Sequence, residues 1–105
     1  MAKRETQAAG SLELQLSVAP NPSSPFPSIA FEIPAPVGDG TDVDISLYDV
    51  IGRRVQVILH RYLQPGTYQL NWQTVAARGH LEPGVYFVRL VAGSNVRTKK
   101  VIIAP

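Results

Sequence analysis

Short runs of alternating apolar and polar residues recur along this chain, each with the two-residue period of a strand that buries one face. The central run is the clearest: Val43, Ile45 and Leu47 alternate with Asp44, Ser46 and Tyr48. Asp49-Val50-Ile51-Gly52 follows, then a second apolar run, Val55-Gln56-Val57-Ile58-Leu59. An Asp side chain accepts hydrogen bonds from backbone two residues on, and a Gly three places later takes positive φ without strain. The spacing predicts a β-hairpin whose type I turn closes with a glycine bulge. Around it, Leu12 to Val18, Ile29 to Ile33, Tyr68 to Trp72, Val85 to Val91 and Val96 to Ile103 read as further strands.

Proline and glycine punctuate these runs. Pro20, Pro22, Pro25 and Pro27 cannot donate ladder hydrogen bonds, so 20–27 reads as a stiff extended connection, suited to crossing from one sheet to the other. Pro34 ends the second strand, and His60 to Gln64 is read as the link from the hairpin to a Pro65-Gly66 turn. Residues 74–82 read as irregular, Pro83-Gly84 opens the sixth strand, and Gly93-Ser94-Asn95 turns the chain into the last. Gln64-Pro65-Gly66-Thr67-Tyr68 and Glu82-Pro83-Gly84-Val85-Tyr86 echo each other, which shared turn chemistry explains. Short strands with this punctuation predict an all-β fold: a seven-stranded antiparallel immunoglobulin-like β-sandwich. The last strand has a phase conflict, because Val101 and Ile103 share parity with Arg97 and Lys99 whereas Ile102 does not. A bulge near Lys99-Lys100 is the expected resolution; the alternative is an outward-facing Ile102.

Composition narrows the picture. A chain of 105 residues, 45% hydrophobic and 17% charged, supports one packed core. Residues 11–105 are expected to form the sandwich, and 1–10, which lack an apolar segment, a flexible N-terminal tail or linker remnant. A net charge of +2 gives little pull toward nucleic acid. Without cysteine there is no disulfide, thiolate metal site or thiol nucleophile, and no run reaches membrane-spanning length.

Candidate chemistry is sparse. His60 and His80 have no partners at metal or triad spacing and read as surface or loop residues. Asp39, Asp42 and Asp44 surround Gly40, but not at the spacing of a calcium loop, and a solvated loop is the favoured reading. No serine sits in a nucleophile elbow. Catalytic, cofactor and metal sites are therefore not expected. Tyr68, Trp72 and Tyr86 fall on inward positions. Phe87 has the opposite parity to Tyr86, Val88 and Leu90, as do Arg89 and Val91. Phe87 and Val91, joined by Ile102 in an unbulged register and flanked by Arg97, Lys99 and Lys100, form a candidate outward strip for docking a partner.

Four motifs occur in order: Ala19-Pro20-Asn21-Pro22, Leu47-Tyr48-Asp49-Val50-Ile51-Gly52-Arg53-Arg54-Val55, Pro83-Gly84-Val85-Tyr86-Phe87-Val88-Arg89-Leu90 and Thr98-Lys99-Lys100-Val101-Ile102-Ile103. Together they resemble the C-terminal sorting domain of type IX (Por) secretion system cargo, over nearly all of residues 12–105. The set is also similar to the immunoglobulin-like domain of the flagellar hook-capping protein. The resemblance implies a non-catalytic address label at the end of an exported protein, with a cargo domain N-terminal to it in the precursor. An outer-membrane secretion translocon would recognise the label, and the cargo would pass through the periplasm to the cell surface or beyond. The alternatives are a structural assembly module of the hook-capping type and an accessory carbohydrate-binding module of a secreted enzyme.

Overall fold

A computed structural model describes residues 13–19, 27–35, 40–70 and 81–103. Seven strands appear among them: β1 (Gln15–Ala19), β2 (Ser28–Ile33), β3 (Thr41–Tyr48), β4 (Arg54–Leu63), β5 (Gly66–Leu70), β6 (Gly84–Ala92) and β7 (Asn95–Ile103). They form a three-stranded sheet in the order β1-β2-β5 and a four-stranded sheet in the order β4-β3-β6-β7, with every pair antiparallel. This is the expected β-sandwich. Compared with the constant-type immunoglobulin arrangement, the fourth strand has moved to the sheet that holds the third, sixth and seventh.

The predicted inward positions build the core. Leu14, just ahead of β1, and Leu16, Ile29, Phe31 and Ile33 from the smaller sheet meet Val43, Ile45, Leu47, Val88, Leu90, Val101 and Ile103 from the larger one, all buried. Tyr68 and Tyr86 pack against this cluster, and Tyr68 stacks on its cross-strand partner Phe31 with ring centroids 5.2 Å apart. Trp72 and His80 lie outside the described residues, as does residue 39 of the acidic cluster. Of the other two, Asp42 stands 3.7 Å from His60, and Asp44 accepts a 2.7 Å hydrogen bond from the buried Ser46 hydroxyl.

The central hairpin has the predicted turn. The Gly52 amide donates to the Asp49 carbonyl, and the Asp49 amide donates across to Arg53. Asp49 Oδ1 also accepts from the amides of Ile51 and Arg53, while Oδ2 binds the Arg53 guanidinium at 2.9 Å. Gly52 has φ +88°, the left-handed conformation the bulge requires. Three expectations are corrected. First, β4 runs on through His60 to Leu63, paired with Thr41 to Asp44, rather than ending at Leu59. Second, β1 and β2 are neighbours in one sheet, so the proline-rich segment does not lead from one sheet to the other. Third, β7 pairs with β6 in one unbroken register with no bulge, so Ile102 faces outward. The irregularities lie instead in β4, whose register shifts opposite Ile45/Ser46 and Leu47/Tyr48.

The repeated Pro-Gly openings share more than a turn. The Tyr68 hydroxyl donates to the Gln64 carbonyl at 2.6 Å, and the Tyr86 hydroxyl to the Glu82 carbonyl at 2.7 Å. Each tyrosine thus buries its ring against the core while its hydroxyl ties down the residue before the proline.

Candidate docking face

The outer surface of the four-stranded sheet is built by the unbroken β6–β7 register. Across these strands Val85 faces Ile102, Phe87 faces Lys100, Arg89 faces Thr98 and Val91 faces Val96. On the other side of β6, Tyr48 lies beside Phe87 and Ser46 beside Arg89. Ile102 is 65% exposed and Val85 and Val96 partly so, while Phe87 and Val91 are half-buried by their neighbours. The anticipated strip of Phe87, Val91 and Ile102 therefore shares one face, together with Arg89 and Lys100.

Arg97 and Lys99 do not join it. They pair with Leu90 and Val88 and have the parity of the inner face. Because β7 is an edge strand, long side chains there reach solvent past the rim of the core. Lys99 is exposed, and Arg97 extends to Glu13 at 3.3 Å, alongside the start of β1.

The β3–β4 turn extends this surface. Val50 and Ile51, at its tip, are 68% and 72% exposed, and Val55 follows at the start of β4. Val50 stands between two shallow grooves. One, of about 450 Å³, is lined by Ile51, Val55, Pro83, Val85 and Tyr86 with Asp49, Arg53 and Glu82 at its rim; the other, of about 520 Å³, by Tyr48, Asp49, Phe87, Arg89, Val96 and Thr98. Exposed aliphatics at the tip of a tight turn, where polar residues are usual, were a signal in the sequence that reasoning from strand parity passed over.

The electrostatics are divided. Asp49 is committed to the turn: backbone donation from Arg53, then its side-chain and Ile51 bonds, hold the carboxyl below the ordinary value of 3.8 despite some desolvation. Asp44 holds Ser46 and lies 3.9 Å from Arg54. Arg89 instead lies over the Tyr48 ring, its guanidinium carbon 5.8 Å from the centroid. Neither Arg89 nor Lys100 has a carboxylate partner among the described residues. Nothing in this arrangement positions a nucleophile or a general base. What it offers is contact: an apolar surface with charge at its margin.

Among the described residues no helix is long and apolar enough to cross a membrane. No curated protein and no solved structure is significantly similar to the chain. The family model of the secretion system C-terminal sorting domain matches residues 17–104, a span that runs from β1 to the end of β7. The chain thus belongs to the family of C-terminal sorting domains of type IX secretion, non-catalytic modules that mark exported cargo for passage through the periplasm to the cell surface or the extracellular space.

Proposed function

We infer that the outer face of the four-stranded sheet is the part of this domain that the secretion machinery reads, with an outer-membrane translocon component as the reader. The observation that carries this is the straight β7 register, which leaves Ile102 exposed beside Val85 and Phe87. An aliphatic side chain held out on a sheet face gains little for the isolated fold and becomes worth burying against a partner. Arg89 and Lys100 border this surface and favour a partner with acidic groups. Arg97 and Lys99, facing the other way, serve the edge of the sandwich, where lysine discourages unwanted strand pairing.

Residues 11–105 act as the portable label in this reading, and 1–10 as the joint to an N-terminal cargo. The domain itself contributes binding and no chemistry; any catalytic activity of the precursor belongs to the cargo. The test is a fusion of the 105-residue chain to a periplasmic reporter in a type IX-competent cell. The parent fusion reaches the cell surface, and a fusion carrying Phe87→Ser, with melting behaviour close to the parent's, stays in the periplasm. Normal delivery of the Phe87→Ser fusion, or delivery lost only in proportion to lost stability, would overturn the assignment of this face.

A further inference from the structure

The groove of about 520 Å³ on this face has features that specify an occupant. Its floor and walls are Tyr48, Phe87, Val50 and Val96, with Gly52, the Thr98 hydroxyl, the Arg89 guanidinium and Asp49 completing the lining; the Asp49 carboxylate is taken up by the amides of Ile51 and Arg53 and by the Arg53 guanidinium. Neighbouring arginines are already engaged: Arg53 by Asp49, Arg54 by Asp44 and, at the far edge, Arg97 by Glu13. Arg89 is the exception. Its planar group rests on Tyr48, which restrains it while leaving its N–H donors unmatched by any carboxylate among the described residues. Lys100, one strand over from Phe87, adds a second unneutralised cation at the margin.

We propose that this groove binds an acidic segment of polypeptide in the sorting machinery, with an Asp or Glu carboxylate on Arg89 and an adjacent aliphatic side chain against Val50, Phe87 and Val96. This rests on the assignment of the face and gives it a partner chemistry. A carboxylate matches the guanidinium fork with two parallel hydrogen bonds. Valine methyls on the groove wall favour an aliphatic residue over the hydroxyl-studded surface of an acidic glycan. Arg53 is held to the turn by Asp49, so on this face the positive charge left at the groove is that of Arg89, with Lys100 at its margin.

The test is an amide-resolved NMR titration of the full chain with the blocked peptide acetyl-Gly-Leu-Asp-Leu-Glu-Gly-amide, beside the same peptide with Asn and Gln in place of its acids. Saturable shifts are expected at Tyr48, Val50, Arg89 and Thr98, with the uncharged peptide about tenfold weaker, as for loss of a charge-assisted hydrogen bond. Arg89→Gln removes the difference between the two peptides, and Arg89→Lys, which keeps charge but not the stacked fork, falls between. Equal binding of both peptides, shifts mapping elsewhere, or a stronger response of the same amides to oligogalacturonate would overturn the proposal, the last in favour of an acidic glycan. Reporter delivery separates this proposal from the broader reading. If Arg89→Gln is exported normally while Ile102→Ser is not, the groove assignment falls and the face stands. If both are exported normally, both fall.

Discussion

Adjacent residues near the end of β7 give the sharpest test of how this sandwich is assembled. Val101 is 3% exposed and Ile102 is 65% exposed, because the unbroken pairing with β6 sends one to the core and the other to solvent. Truncating Val101 to Ala removes buried carbon and leaves a cavity, at a cost of about 2 kcal/mol. Ile102→Ser gives up only the covered third of a side chain whose full burial contributes about 1.5–3 kcal/mol, so it costs no more than about 1 kcal/mol. For a domain of this size, each kcal/mol moves the melting midpoint by about 4–8 °C, so Val101→Ala melts about 8–16 °C lower and Ile102→Ser stays within about 4–8 °C of the parent. Thermal melts followed by far-UV circular dichroism, with urea midpoints as a second measure, read both. A register that turned Ile102 inward would invert the ranking. If Ile102→Ser proves as costly as Val101→Ala, the description of β7 is wrong, and with it the docking face.

Other consequences are independent of that strand. Tyr68→Phe and Tyr86→Phe each remove one hydroxyl-to-carbonyl bond while keeping the ring, so each lowers stability by about 0.5–1 kcal/mol in urea melts, and the pair is additive because the sites share no partner. Gly40 has φ +139°, and a Cβ there would come within 2.7 Å of the Leu63 carbonyl oxygen, so Gly40→Ala costs about 1–3 kcal/mol through backbone strain alone. Asp49 titrates lower in the folded chain than in the unfolded one, so its contribution is full above the ordinary value of 3.8 and is lost as pH falls through the depressed folded value. The stability advantage of the parent over Asp49→Ala, measured by melting at a series of pH values, therefore narrows in acid; an advantage independent of pH down to about pH 2 would contradict this.

Most of the layer architecture was legible because its determinants are local. Alternation at Val43, Ile45 and Leu47 names the buried face of β3, and Asp49 with Gly52 names the turn down to the hydrogen bonds it makes. Legibility failed at the edges. In β4, His60, Arg61 and Tyr62 look like a loop because an edge strand tolerates polar residues on both faces, yet they pair with Asp44, Val43 and Asp42. The adjacent aliphatics Ile58 and Leu59, one buried and one half-buried, are the trace of a register shift that lets neighbouring residues both approach the core. In β7 the parity of Arg97 and Lys99 suggested a bulge, although long cations at an edge can share the inner parity without entering the core. Proline content bears on the stiffness of a connection and carries no information on which strand lies at its far end, so the pairing of β1 with β2 was not legible from it.

The proposed docking face followed the same division. Phe87, Val91 and Ile102 came together as parity predicted once β7 was straight, with Arg89 and Lys100 beside them. Val50 and Ile51 were not anticipated because they belong to a turn, and strand periodicity says nothing about where a turn's side chains point. Arg97 and Lys99 were grouped with the strip by proximity in sequence, which in a strand is the wrong measure: adjacent side chains leave opposite faces.

Recognition by the outer sheet face is tested most directly by contact. A photo-crosslinking side chain placed at position 102, in the chain fused to a reporter in transit through a type IX-competent cell, is compared with the same group at Gln69, which is exposed on the other sheet. The account predicts adducts with an outer-membrane component of the secretion machinery from position 102 and none from position 69. Adducts of equal yield from both positions, or from position 69 alone, would contradict it.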